Sequence, residues 1–150
     1  MKTTIQSLVF AAAISLLPFT AIAQSSDHEA VDAVMKKFMS AYITADNTLA
    51  TEVFRKDGVM IGYSVARGSE LLTRTGEQFA EGFNGKPAAD EAKRKRSYEI
   101  VDMAENLAAV RVMLDYPGWR GVDYVVLLKV DGKWMIMSKS WTGTLTQKPA

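Results

Sequence analysis

From Ser26 onward, apolar residues recur at helical spacing: Val31, Val34, Met35, Phe38, Met39 and Tyr42. Residues three and four apart share one helix face, so this spacing predicts an amphipathic helix over Asp27–Thr44. Ser26 and Glu29 fit a capping box at its start. Asp46 fits the N-cap of a short second helix carrying Leu49, Val53 and Phe54. Asp57-Gly58 is a turn signal, and Val59–Ser64 reads as a strand. Thr75 with Gln78 repeats the capping-box pattern and opens a third helix through Phe79 to Phe83, which Asn84-Gly85-Lys86-Pro87 stops.

The second half alternates with period two. Strands are predicted over Arg96–Met103, Leu107–Tyr116, Val122–Val130 and Lys133–Thr144. Asp131-Gly132 is the strongest hairpin signal, Glu105-Asn106 a weaker one, and Pro117–Gly121 a longer turn. Helices followed by an antiparallel meander predict the α+β class, with the helices on one sheet face. The turns set a register: Val130 opposite Lys133, so Tyr124 opposite Lys139; Met103 opposite Ala108; and Leu114 opposite Tyr124. Alternation then assigns Val101, Met103, Ala108, Val110, Val112, Leu114, Tyr124, Val126, Leu128, Met135, Met137, Lys139 and Trp141 to the helix-covered face. The opposite face receives Tyr98, Ile100, Arg111, Met113, Asp115, Asp123, Val125, Leu127, Trp134, Ile136, Ser138 and Ser140. That face is apolar enough to predict a covering partner.

Composition removes several function classes. The chain has 150 residues, no cysteine, one histidine and a formal charge of +1. Its length fits one domain. The missing cysteines exclude a disulfide scaffold, a thiol nucleophile and thiolate-held metals. One histidine excludes a multi-histidine metal site, and near-neutrality offers no electrostatic case for nucleic acid. There is no phosphate-binding glycine loop, Ser-His-Asp set, nucleotide fingerprint or metal spacing, so no cofactor and no metal is expected. Met1-Lys2, the apolar stretch centred on Leu8–Leu17, Pro18 and Ala21-Ile22-Ala23 form the three-part pattern of a secretory signal peptide. Cleavage after Ala23 is expected, leaving one domain over 24–150. Lys2 is the one charge removed, so that domain is formally neutral. Its expected location is periplasmic or secreted, without membrane contact after cleavage.

Three segments resemble a known family: Phe38–Asp46, Phe54–Tyr63 and, above all, Asp123–Ile136. In the last, Asp123-Tyr124 precedes an apolar strand and Asp131-Gly132-Lys133-Trp134 follows it. The pattern resembles the nuclear-transport-factor-2-like superfamily, and within it the group described as "putative lumazine-binding proteins", a name that does not establish that its members bind lumazine. The resemblance implies a cone-shaped, curved antiparallel sheet packed against about three N-terminal helices, a cystatin-like arrangement with a pocket inside. It also implies a homodimer through the outer sheet face. The superfamily includes ketosteroid isomerases and small dehydratases, whose chemistry uses a pocket carboxylate and donors to an oxyanion. The resemblance places that base near Gly62 and the first donor near Phe38, neither of which can serve. It places the second donor near Tyr124 and the apolar wall at Met137 and Trp141.

Tyr124 and Lys139, opposite each other in the expected register, form a candidate polar handle for an anionic or carbonyl ligand. In the plainer alternative, the lysine stem packs and its head reaches water. Phe38, Tyr42, Met60, Tyr63, Phe79, Met137 and Trp141 are candidate walls of a cavity, or else ordinary core. His28 is expected in solvent at a helix start. Arg111, Asp115 and Asp123 are expected on the outer face as structural ion pairs; a slipped strand would instead turn Asp115 or Asp123 into a pocket base. The basic run Lys93–Arg96 follows Asp90 and Glu91 and reads as self-neutralised. Trp119 either closes the cavity mouth or packs on a partner. Three functions stay open: an exported binder of a small apolar or aromatic molecule, a cofactor-free isomerase, dehydratase or hydrolase, and an interaction protein without a ligand. A titratable group inside a solvent-connected cavity favours the second, a dry aromatic cavity the first, and no cavity the third.

Overall fold

The computed structural model describes residues 19–64 and 69–146. Residues 1–18 of the expected export signal lie outside the described residues. Three helices, α1 (Phe19–Thr44), α2 (Asn47–Val53) and α3 (Gly76–Ala80), pack on one curved, open sheet of six strands. The strands are β1 (Phe54–Ser64), β2 (Glu70–Thr75), β3 (Lys95–Ala104), β4 (Leu107–Tyr116), β5 (Trp119–Val130) and β6 (Lys133–Leu145). Their spatial order is β2-β1-β6-β5-β4-β3. The α+β reading holds. The sheet is antiparallel except where β1 runs parallel to β6.

Local signals explain the helix starts. The Asp46 carboxylate accepts from the backbone N–H groups of Thr48 (2.7 Å) and Leu49 (3.3 Å), capping α2. At α3 both bonds of the Thr75–Gln78 capping box form. The box expected at Ser26 does not cap, because α1 already runs from Phe19 through Ala21, Ala23 and Gln24, and Ser26 lies inside it. Asp57-Gly58 is not a chain reversal either: β1 continues through it with an irregularity against β6. The edge strand β2 has no counterpart among the predicted elements, because Glu70–Thr75 is too polar and short to show a period.

The hairpin at Asp131-Gly132 forms as expected, with φ of 50° and 78°, and pairs Val130 with Lys133. Met103 pairs with Ala108, also as expected. Two other register expectations are corrected. First, β6 carries a bulge: Leu127 faces Ile136 but Val126 faces Ser138, leaving Met137 as an extra residue. Tyr124 therefore pairs with Ser140, and Lys139 with Val125. Gly58 supports the bulge by close approach, since a Cβ there would stand 2.7 Å from the Met137 carbonyl oxygen. Second, the β4–β5 turn is the two residues Pro117-Gly118, with Tyr116 opposite Trp119 and Leu114 opposite Gly121. Proline presets φ and Gly118 takes φ of 80°, so two residues suffice. Gly121 is not a turn residue; it makes room for the Trp119 ring, which a Cβ would meet at 1.9 Å.

These shifts exchange faces on β5 and part of β6. Asp123, Val125, Leu127, Trp134 and Ile136 are buried with Val110, Val112 and Leu114, beneath Val31, Met35 and Phe38 of α1. Tyr124 points outward and is 55% exposed. A second bulge, between Ile100 and Asp102 in β3, lets both Tyr98 and Met103 pack on the core while Val101 is exposed. On β1, Met60 and Gly62 face inward. A Cβ on Gly62 would lie 2.0 Å from the Trp141 indole, so glycine here is what lets that ring cross the strand.

Polar clasps hold α1 to the sheet. One Asp27 oxygen accepts from Lys129 Nζ (2.7 Å) and Trp134 Nε1 (3.1 Å). Asp32 accepts from the Tyr98 hydroxyl at 2.6 Å and pairs with Lys36 at 2.7 Å. The hydrogen bond from Lys129, then that from Trp134, holds the Asp27 carboxyl below its ordinary 3.8; Lys36, then Tyr98, does the same for Asp32. A folded value below the unfolded one adds stability above pH 3.8 that is lost as pH falls through the folded value. Acid is therefore expected to loosen α1. Thermal melts followed by circular dichroism from pH 6 downward should show this, with Asp27→Asn/Asp32→Asn less stable at neutrality and flatter in acid. Gly62→Ala should destabilise the domain by about 1–3 kcal/mol through overpacking against Trp141. Urea unfolding monitored by tryptophan emission measures it.

Candidate functional site

The inner face ends, beside the β4–β5 turn, in a cavity of 340 Å³. Leu114, Tyr116, Trp119, Asp123, Lys139 and Trp141 come from the sheet, Leu72 and Arg74 from β2, Tyr42 from α1 and Phe79 from α3. A second space of 350 Å³ shares Tyr42, Arg74, Phe79 and Tyr116 with it and adds Phe83, Lys86, Glu91, Arg94 and Arg96. The chain thus forms an aromatic cleft with a charged mouth.

At its floor Lys139 Nζ donates to Asp123 Oδ2 at 2.9 Å, with the two residues 2% and 1% exposed. The ammonium also stands 4.2 Å from the Trp141 ring centre and 4.9 Å from that of Phe79. Rings at this range stabilise a desolvated cation by about 2 kcal/mol or more. Asp123 Oδ1 has no hydrogen-bond partner among the described residues. The Tyr42 phenol interacts with the same carboxylate without closing a hydrogen bond on Oδ1. Burial raises the Asp123 carboxyl above 3.8, against the opposing pull of Lys139 and Tyr42. Burial also lowers the Lys139 ammonium below 10.5, against the pull of Asp123. The Tyr42 phenol is pushed well up by burial and by the neighbouring Asp123 charge. Both members of the ion pair therefore lean toward neutrality, held charged by each other.

The mouth is wired separately. Arg96 forks onto Glu91, with one arm at 2.9 Å, donates to the Tyr116 hydroxyl at 2.8 Å, and covers the Tyr42 and Tyr116 rings. Arg94 pairs with Asp90 at 2.7 Å and stacks on Tyr116. Two cations of the run are neutralised by Asp90 and Glu91, while Lys93 and Lys95 have no ion pair among the described residues; the Arg96 side chain is nearly buried in the cleft wall. Trp119 lies against Tyr116, ring centres 5.5 Å apart, at the cavity edge.

Of the nine sequence candidates, Lys139, Trp141, Tyr42 and Phe79 come together around this cavity. Tyr124 does not join Lys139, because the Met137 bulge and the short β4–β5 turn send it to the outer face. Met137 is the bulge residue and is half-buried outside the cavity lining. Phe38 and Met60 are fully buried core, Phe38 between Tyr42 (4.8 Å) and Phe54 (4.9 Å). Tyr63 is exposed. His28 is exposed, while Arg111 and Asp115 pair outside with Glu99 (2.6 Å) and Arg120 (3.1 Å). Asp123 moves from the expected outer face to the cavity floor. Its only sequence signal was the slipped-strand alternative.

The model of the family described as "Putative lumazine-binding" matches residues 26–142. The chain belongs to this family. Solved structures agree on the fold. A nuclear-transport-factor-2-like protein from Silicibacter pomeroyi is 21% identical, with a TM-score of 0.69 over 81% of this chain and 98% of that one. A cystatin-like fold protein from Burkholderia xenovorans is 15% identical, TM-score 0.63, over 83% and 96%. A "Putative Scytalone Dehydratase" from Novosphingobium aromaticivorans is 16% identical, TM-score 0.58, over 87% and 95%. No curated protein matches by sequence. The Asp123–Lys139 pair is the chemical centre of this cavity.

Removing one partner of a buried ion pair strands the other charge and costs about 3–5 kcal/mol. Lys139→Met and Asp123→Leu should each lose about that much in urea unfolding, whereas the double variant should recover most of it.

Proposed function

We propose that this protein is an exported homodimer that holds a small, flat, largely aromatic molecule in the cavity above Asp123 and Lys139. The carrying observation is the cavity itself: aromatic walls of Tyr42, Phe79, Tyr116 and Trp141 around one polar corner. Such a lining suits a ligand with apolar faces and few polar edges. Export is supported by the leader pattern over residues 1–23 and by a domain whose family match starts at residue 26. The α1 clasp at Asp27 lies downstream of Ala23 and would survive cleavage. Dimerisation is supported by the outer face, where Val59, Tyr63, Val101, Leu107 and Tyr124 are exposed.

A second reading is favoured by one observation. Asp123 has a free oxygen, a raised pKa and an aromatic cavity in front of it. A carboxylate so placed suits proton transfer to or from a bound carbonyl compound. The positions that the resemblance assigns to the isomerase base and first donor are closed: Gly62 is covered by Trp141 and Phe38 is core. Tyr42, one helical turn beyond Phe38, supplies a hydroxyl beside Asp123 instead.

Native mass spectrometry of the protein purified from its own compartment tests the main reading. The expected species is a dimer of chains beginning at Gln24, carrying a retained small molecule; a ligand-free monomer overturns it. Tyr124→Glu should dissociate the dimer and leave the fold intact. Lys139→Met should lose the retained molecule, and unchanged retention counts against the polar corner. Deuterium uptake at carbon into that molecule, lost in Asp123→Asn, would select the catalytic reading.

A further inference from the structure

The cleft has more positive charge than it neutralises. Five cationic side chains line its two connected spaces: Arg74, Lys86, Arg94, Arg96 and Lys139. Three are matched to carboxylates, Arg94 to Asp90, Arg96 to Glu91 and Lys139 to Asp123. Arg74 and Lys86 have no ion pair among the described residues. No missing side chain could change this, because every Asp and Glu of the chain lies within the described residues. Arg74 is the sharper case. It is half-buried, sits on β2, and lines both spaces together with Tyr42, Phe79 and Tyr116. A guanidinium partly withdrawn from water among rings, with no carboxylate, is matched to a planar anion.

A second observation is independent of the first. Asp123 lines the same cavity, and its Oδ1, on a residue 1% exposed, has no hydrogen-bond partner among the described residues. A buried acceptor left unpaired is costly, so the occupant that suits this corner brings an O–H or N–H.

Resting on the ligand-binding reading above, the geometry points to a hydroxylated aromatic carboxylic acid as the ligand class: its carboxylate on Arg74, its ring between the aromatic walls, its hydroxyl on Asp123 Oδ1. Neither end alone selects it. A neutral phenol leaves Arg74 unmatched, and a plain aryl acid leaves Asp123 unmatched.

Isothermal titration with para-hydroxycinnamic acid, its methyl ester and cinnamic acid separates these contributions. The native protein should bind the hydroxy acid about tenfold more tightly than either analogue, the scale of a charge-assisted or buried hydrogen bond. Arg74→Gln, which breaks no intramolecular pair and should fold normally, should bind acid and ester equally. Arg74→Lys should keep part of the preference. If the ester binds the native protein as well as the acid does, or if Arg74→Gln keeps the preference, the anion assignment falls and the ligand-binding reading stands. If the hydroxyl makes no difference, the Asp123 contact falls. If none of the three binds, the proposed class is wrong; retained ligand in native mass spectra still decides the broader reading separately.

Discussion

Two opposite charges, nearly sealed from solvent between an aromatic wall and a sheet, constrain the rest of this domain. Lys139 and Asp123 could not be buried singly, because each alone would carry the full penalty of a desolvated ion. Together, with Trp141 and Phe79 rings against the ammonium, they can remain at the sheet's inner face. Their presence stops the core from closing at that end. Apolar packing is continuous from Val31 and Trp134 to Phe38 and Leu114, then gives way to a cavity where Asp123 begins. The fold is thus a filled core at one end and a polar-floored cleft at the other.

The pair depends on a single extra residue. Without the Met137 bulge, the alternation that buries Trp134 and Ile136 would bury Ser138 and Ser140 next, and would turn Lys139 and Trp141 outward. The bulge reverses that parity, so one strand contributes core at its start and cleft at its end. Sequence patterning cannot show this. Period-two alternation marks which residues share a face only while the ladder is regular, and Trp134-Met135-Ile136-Met137 is apolar at every position. The Asp131-Gly132 hairpin was legible because its turn residues dictate the geometry themselves. Pro117-Gly118 was equally informative, but Gly121 read as part of the turn when it is a strand glycine beneath Trp119. Helix caps at Asp46 and Thr75 were legible for the same local reason. Burial of Arg96 was not, since a basic run reads alike in solvent or against tyrosines.

Glycines and tryptophans shape the cleft as pairs. Trp141 crosses β1 at Gly62, and Trp119 crosses β5 and β6 at Gly121 and Gly143, where an added Cβ would collide at 2.0, 1.9 and 2.2 Å. Each indole packs against a glycine's backbone and lines the cavity beside Asp123. At Gly62 any side chain and the Trp141 ring are mutually exclusive, so the wall on β1 requires glycine there. The carboxylate and the helical hydroxyl that line this cavity are those of Asp123 and Tyr42.

Under the proposed function and its catalytic alternative, recognition and proton transfer would make successive demands on one carboxylate. Lys139 on Oδ2 favours the ionised carboxylate while burial opposes it. Seating a flat ligand against Tyr42 and Trp141 expels water from the corner. Dehydration penalises the carboxylate further and raises its affinity for a proton, while Lys139 and Tyr42 resist the change. Under the proposed function, the bound state would therefore be a better base than the free one. Tyr42, held protonated by its own raised pKa, can share a developing negative charge on the ligand. A phenolic donor keeps its proton under these conditions and is simply held. A carbon acid next to a carbonyl would feel both groups at once. Under the proposed function, the acidity of the ligand's own donor would separate binding from turnover in this cleft, because the protein would supply the same oxygen for either.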